Sequence, residues 1–491
     1  MQNLLHGFSL VFQPFTFALM VFGTAIGVVI GALPGLTASM GIILLLPMVY
    51  RLPASVSLVM LCGLFCGGMY GGSISGILLN TPGTPSASAT TLDGFPLNRQ
   101  GKAGKALGIA TVASFVGGLI STACLIIIAP ELAKVALKFQ AADYFSLSIF
   151  GLSIMASSSG KNVVKGLIAG CIGLLVSCIG IDTIVGVNRL TFNNMYLAGG
   201  FSLLPVLIGV FAISEVLTQV QSSYEDRPVT IQAVKDVLPK WTEIKGVMPS
   251  ILVGGVLGVF IGIIPGTGGA IACFLAYNLA QKFAKDRDQF GKGALSGIAA
   301  PESANNATTG GALIPMLCLG VPGDVVTSVM LGALVLIGVR PGPLLFVENI
   351  EVVYSIFAGM VIIQFLMLGF GLLSSRYSPA ILRIPDTLLM PVIMVLCVVG
   401  SFSLNNALYD VTVALAFGVI GFFMKRWGYP GAPLVLGVIL GPMAEENLNR
   451  ALLVSNNNWA VLVQRPISLT FLILSALSIA LAVYNVRKKE A

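Results

Sequence analysis

Apolar stretches recur from one end of this chain to the other: 15–33, 106–129, 163–181, 196–217, 247–265, 324–339, 352–373, 387–400, 407–424 and 467–484. A helix needs roughly 20 apolar residues to cross the hydrocarbon core of a bilayer. Strands of a membrane barrel would alternate apolar and polar residues instead, and these stretches do not. Only 10% of the residues are charged, against about 25% in an average soluble domain; mean hydropathy is +0.95. The chain is expected to be an all-α polytopic membrane protein, with about 12 transmembrane segments at that helix length.

The remaining composition narrows the function. A net charge of +7 reads as basic cytoplasmic loops, and no nucleic-acid-binding motif accompanies it. The start, MQNLLHGFSLVFQPF, has neither a basic n-region nor a small-residue cleavage site, so a cleaved signal is not expected. The eight cysteines lie in apolar segments without a CxxC, and the chain has one histidine, His6. Neither a metal centre nor another cofactor is expected. No GK dipeptide is followed by Ser or Thr, so there is no P-loop. Uphill movement of a solute would draw on an ion gradient or on another subunit.

One polar interval, QSSYEDRPVTIQAVKDVLPKWTEIK, divides the chain. Residues 1–220 read as a first transmembrane repeat and 221–246 as a linker. Residues 247–466 read as a second repeat with additional helices, and 467–491 as a last helix with a basic cytoplasmic tail. TAIGVVIGALPG (24–35) aligns with GVLGVFIGIIPG (255–266), with six of twelve positions identical. GILLNTPGT (76–84) aligns with MLCLGVPGD (316–324), sharing Leu79/Leu319, Pro82/Pro322 and Gly83/Gly323. Each half thus carries two Pro-Gly breaks in the same order. Basic residues follow the second break in the first half (Arg99, Lys102, Lys105). In the second half they lie between the breaks (Lys282, Lys285, Arg287, Lys292). Two inverted-topology repeats with discontinuous helices are expected. Whether the first break of each half is a hairpin tip or a broken span is left open.

Irregular backbone inside a bilayer is tolerated only where protein or a water-filled cavity surrounds it. Proline removes an N–H, and a helix that starts after the break directs free N–H groups and its positive dipole end inward, a ready anion site. Four breaks therefore supply the candidate substrate-binding residues: Pro34, Gly35, Thr37 and Ser39; Asn80, Thr81, Pro82, Gly83 and Thr84; Pro265, Gly266 and Thr267; Pro322 and Gly323. Thr84 reads as an N-cap with Pro85 at the first helical position, and Ser86, Ser88, Thr90 and Thr91 follow. In GIAAPESANNATTGGALIP (297–315), Asn305 and Asn306 join that set, because amides and carboxylates between apolar runs are costly unless used. Glu302 and Asp324 are the candidates for coupling to a cation. Asp93, in TLDGFP, reads as a turn residue near the cytoplasmic face.

YGGSISGILLNTPGTPSASATTLDGFPLNRQGKAGKALGIATVASFVGG (70–118) closely resembles the TctA family, as do 297–323 and LGPMAEENLNRALLVS (440–455). The resemblance covers nearly the whole chain. It implies the large membrane subunit of a tripartite tricarboxylate transporter in the bacterial inner membrane. Its partners would be a small TctB-like membrane subunit and a periplasmic TctC-like binding protein. The implied activity is uptake of a di- or tricarboxylate with Na+ or H+. Asp324 after VPG departs from the small neutral residue expected there. That weakens direct solute contact at this break and favours a cation role. An organic-anion channel, or a transporter of other solutes, is the alternative reading. An intramembrane enzyme lacks an evident base, and a scaffold without transport leaves the breaks unexplained.

Overall fold

The computed structural model describes residues 2–157, 163–182, 186–222, 234, 236–382 and 384–490. Most of the expected linker, 223–233 and 235, lies outside the described residues. The chain is helical almost throughout. The first part runs α1 (Gln2–Val11), α2 (Pro14–Ala32), α3 (Ala38–Val49), α4 (Ala54–Leu79), a 3-10 turn (Pro85–Ala87), α5 (Ser88–Arg99) and α6 (Ala103–Ala136). Then come α7 (Ala141–Ser157), α8 (Val163–Ser177), a two-residue β-hairpin (β1 Gly180–Ile181, β2 Asn188–Arg189) and α9 (Met195–Ala198). A π-helical turn joins α10 (Leu203–Leu207) to α11 (Ser214–Ser222). The second part runs α12 (Trp241–Ile263), α13 (Gly268–Phe283), α14 (Leu295–Leu319), α15 (Val325–Leu336), α16 (Leu345–Glu348) and α17 (Ile350–Ile381). It ends with α18 (Asp386–Asn405), α19 (Leu408–Arg426), α20 (Gly431–Val454), α21 (Val461–Gln464) and α22 (Pro466–Glu490).

Among the described residues, eight helices are long and apolar enough to cross a membrane: α2, α4, α6, α10–α11, α12, α17, α18 and α19. Five shorter apolar helices accompany them. This is a multi-pass membrane protein, with fewer full-length spans than the apolar runs alone suggested. The reason is visible in the breaks, which divide apolar sequence into helices of 12 to 16 residues at α3, α13 and α15.

The order α2–α3–α4–α5–α6 recurs as α12–α13–α14–α15–α17. Lengths are 19, 12, 26, 12 and 34 residues in the first set. They are 23, 16, 25, 12 and 32 in the second. Within each half the partners match too. Gly23, Gly27 and Gly31 of α2 lie against Met60, Leu64 and Gly68 of α4. Gly254, Gly258 and Gly262 of α12 lie against Ala300, Ala304 and Thr308 of α14. Small residues four apart let these backbones approach closely, the usual device where lipid gives no hydrophobic drive for helix association. In both pairs the two helices run parallel.

Between the halves the direction reverses. Ser73, Met69 and Cys66 descend α4 as their partners Glu302, Asn305 and Thr309 ascend α14. These two antiparallel helices are the centre of the molecule. Residues 296–318 of α14 are all buried, and 89% of the apolar window of α4 is buried, against 44% for α2. The side of the molecule away from this centre is held by ion pairs at helix ends, such as Arg465 on the fully buried Asp143 at 2.7 Å.

The first break of each half is a hairpin tip. Gly41 of α3 lies against both Ile30 and Leu64, so α3 turns back along α2 and α4. In the second half Gly269 meets Thr308 while the Cys273 thiol reaches the carbonyl of Pro301, so α13 returns along α14. The second break is a broken span. After Leu79 the chain doubles back until the N–H of Gly83 donates to the carbonyl of Gly72 at 3.1 Å. Helix α5 then runs parallel to the end of α4, with Gly94 against Ile77 and the Asn98 amide donating to Leu78.

Candidate functional site

Four helices start at the breaks: α3, the 3-10 turn leading into α5, α13 and α15. Backbone contacts knit their breaks together. Gly83 lies against the carbonyl of Gly31, and the N–H of Gly266 donates to the carbonyl of Gly323 at 2.8 Å. Gly269, at the start of α13, faces Ser86, Met69 and Thr308. The start of α13 in one half therefore meets the start of the Pro85–Ala87 turn in the other.

The four starts differ in how their N–H groups are satisfied. At α3, Thr37 accepts from the N–H of Met40 at 3.3 Å and pairs with Ser39 at 2.8 Å. At α15, Asp324 accepts from the N–H of Thr327 at 2.7 Å, and the Thr327 hydroxyl completes the capping box. The other two lack a side-chain cap. Thr84 does stand at the N-cap with Pro85 after it, but makes no capping bond and instead pairs with the Ser86 hydroxyl at 3.3 Å. Thr267 turns its hydroxyl back onto the carbonyls of Ile261 and Ile264, at 2.6 and 2.9 Å. The two uncapped starts are the two that meet. At the Pro85–Ala87 turn Pro85 carries no N–H and the Ala87 N–H donates to the Thr84 carbonyl at 3.0 Å, which leaves the Ser86 N–H as the donor without a side-chain cap. N–H groups at a helix start, with the dipole behind them, are donors for an anion.

Beside them stand the two amides. Asn305 donates to the carbonyl of Met69 at 2.9 Å, while its Oδ1 has no partner. Both Asn306 side-chain polar atoms are buried without a partner. Buried polar atoms in folded proteins are almost always hydrogen-bonded, so these atoms are open to a solute or an ion.

Glu302, one turn before Asn305, is fully buried. Its Oε1 accepts from Ser73 of α4 at 2.5 Å and from Thr90 of α5, and its Oε2 from Ser114 of α6 at 3.0 Å. It makes no ion pair among the described residues.

The remaining predicted residues are placed as follows. Pro34 and Gly35 form the first hairpin tip, with Gly35 at φ +84° against the Gln219 side chain. Pro265 and Gly266 form the matching tip. Pro322 and Gly323 are buried on the return to α15. Pro82 leads into the buried Gly83 on the return to α5. Asn80 and Thr81 stand apart from this group: both are exposed, and Asn80 is the left-handed residue that ends α4, at φ 57°. Asp93 corrects its sequence reading. It is not in a turn but inside α5 and fully buried, accepting from the N–H groups of Gly293 and Ala294, both at 2.8 Å, and from Tyr277 at 2.9 Å. It thereby caps α14 from another helix.

Sequence reasoning missed Ser73, Ser114 and Gln364. Gln364 is a buried amide of α17 that donates to the Cys66 sulfur at 3.6 Å and leaves its Oε1 unpartnered. The available signal was the same for all three, a lone polar side chain inside an apolar run.

The protein-family model described as the tripartite tricarboxylate transporter TctA family matches residues 17–436, which include all four breaks, Glu302 and both amides. The chain belongs to that family. A TctA-family chain is a membrane subunit of a tricarboxylate transporter system, which gives the buried breaks a transport setting. One relative, the "uncharacterized 52.8 kDa protein in TAR-I ttuC' 3'region" of Agrobacterium vitis, is 35% identical over 490 residues, covering 100% of this chain and 97% of the relative. A second, the "uncharacterized protein in TAR-II ttuC' 3'region" of the same organism, is 35% identical over 234 residues, covering 48% of this chain and 97% of the relative. No solved structure matches the TctA-family chain.

Proposed function

We propose that this chain is the large transmembrane subunit of a secondary transporter that takes up di- or tricarboxylates by symport with Na+ or H+. It works in the bacterial inner membrane with a TctB-like small subunit and a periplasmic TctC-like binding protein. Its two halves are inverted repeats, and with the shorter helices the chain makes about twelve crossings. The observation that carries this reading is the meeting of two uncapped helix starts, one from each half, at the antiparallel crossing of α4 and α14. Two facing dipole ends suit a solute with two or more carboxylates. Asn305 and Asn306 supply donors beside them. The carboxylate contacts fall on the Thr84 hydroxyl and on the backbone N–H groups that follow Thr84 and Thr267. Gly83 and Gly266, whose own N–H groups donate to Gly72 and Gly323, and Pro265, which has none, hold those starts in place. Pro34, Gly35, Thr37, Ser39, Asn80, Thr81, Pro82, Pro322 and Gly323 shape the breaks.

The test is uptake of labelled citrate and other di- and tricarboxylates into cells carrying this subunit with both partners, with Na+ present or replaced. Uptake that needs this chain, and that falls on removal of Na+ or on collapse of the proton gradient, supports the reading. No carboxylate uptake, with the complex verified in the membrane, overturns it.

A further inference from the structure

We propose that Glu302 carries the coupling proton of this transporter, held by the hydroxyls of Ser73, Thr90 and Ser114. The inference rests on the symport reading above and decides between its two ions. Three observations lead to it. A carboxylate fully buried at the centre of a membrane protein is costly unless it is paired or neutralised, and Glu302 has no cationic partner among the described residues. Its partners are hydroxyls from three helices, at direct hydrogen-bond distance (2.5 Å for Ser73 and 3.0 Å for Ser114). A hydroxyl donates to a carboxylate and accepts from a carboxylic acid, so the same cage holds both protonation states with only hydroxyl rotation. The hydroxyls stand at the direct hydrogen-bond distance that a proton between oxygens needs, whereas a Na+ ion at this carboxylate would have to replace those contacts.

The groups facing Glu302 permit this role. Tyr70 of α4 and Cys273 of α13 are the titratable neighbours within electrostatic reach, and neither is a cation. Tyr70 is engaged with Thr111 and Cys273 with the Pro301 carbonyl. On α5, Asp93 is turned to the start of α14. Lys105 of α6 and Glu243 of α12 pair with each other at 2.6 Å near the starts of those helices, and Lys245 of α12 lies over the Trp241 ring.

The step is a proton transfer. A proton from water on one side neutralises the carboxylate, giving a carboxyl group whose O–H donates to one of the three hydroxyl oxygens. The same proton leaves to water on the other side, restoring the carboxylate. The link to solute movement is Thr90. It sits on α5, the helix that begins at the second break, and its bond to Glu302 is strongest while the carboxylate is charged. Protonation loosens α5 and the break it carries.

The experiment uses the full chain with its membrane partner in lipid vesicles, with the binding protein added for uptake, and has two arms. The first reads the carboxyl C=O stretch by infrared difference spectroscopy across pH, wild type against Glu302→Gln. A band that titrates in the wild type, is absent in the variant and ignores added Na+ is the expected result. A missing band, or one displaced by Na+ at constant pH, overturns the proposal. Ser73→Ala and Thr90→Val each remove a donor to the charged form, so the midpoint of the band should rise by about one pH unit. A purely structural role would leave it in place. If Glu302→Gln does not reach the membrane, Thr90→Val carries the test, and an unmoved midpoint overturns the proposal. The second arm measures citrate uptake driven by an imposed pH gradient, which Glu302→Gln should abolish. Uptake still driven by that gradient in the variant overturns the proton role and leaves the transport reading standing. A titrating band without carboxylate uptake in the wild type does the reverse.

Discussion

The second break of the first half and that of the second half share a backbone and differ in chemistry. Asn80 and Gly320 end α4 and α14 in the same left-handed conformation, at φ 57° and 70°. Thr84 and Asp324 then occupy the same N-cap position. Yet Asp324 satisfies its own helix start, while Thr84 leaves its start open. The first break of each half shows the opposite bias: Thr37 caps α3 and Thr267 does not cap α13. Each half thus contributes one closed start and one open one. The same backbone geometry recurs at the breaks, and the cap residue decides which helix starts carry a side-chain cap.

The comparison breaks hardest at the glycines both halves need. Gly83 and Gly323 pack against the carbonyls of Gly31 and Gly262, with no room for a side chain. Gly83→Val and Gly323→Val should each cost about 3 kcal/mol or more, read as loss of folded protein from the membrane. Equal severity in both is expected. Tolerance of one would mean that the two returns are not equivalent.

Next come the groups around the open starts. Asn305→Ala and Asn306→Ala should lower uptake about tenfold while folded protein stays in the membrane. Normal uptake in both would move the solute away from the meeting of the open starts.

A smaller effect separates closed from open starts. Asp324→Ala removes a cap and should lower thermal stability by about 1–2 kcal/mol. Thr84→Ala removes no capping bond, only its methyl group and a 3.3 Å pairing with Ser86, and should cost less than Asp324→Ala, about 1 kcal/mol or below. Melting curves in detergent compare the two, and equal losses would erase the distinction drawn here.

The smallest effect tests the shared turn. Asn80→Gly should be neutral within a few tenths of a kcal/mol. Gly320→Ala should cost about 1 kcal/mol through its left-handed conformation. A neutral Gly320→Ala would mean that the left-handed end is not required.

Much of the fold was legible because its causes are local. A Pro-Gly pair disfavours helix through its own backbone chemistry, so the breaks and the N-cap position of Thr84 could be placed by reading. Apolar length marked the membrane class. Other features were misread or missed because they depend on distant neighbours. Asp93 in TLDGFP carries turn chemistry, yet α5 runs through it because its carboxylate has the start of α14 to cap, 200 and 201 residues away. Asn80 and Thr81 carry the polarity of a binding wall, yet they lie at the exposed end of α4.

The sequence by itself determined that this is an all-α membrane protein whose apolar runs are interrupted at four Pro-Gly breaks, since hydropathy and backbone chemistry belong to each residue and its near neighbours. Only the tertiary structure decided that α4 and α14 run antiparallel, that an open start from each half meets the other, and that Glu302 is caged by hydroxyls 229, 212 and 188 residues away. Contacts at such separations arise from the packing of whole helices, which no local pattern of residues encodes.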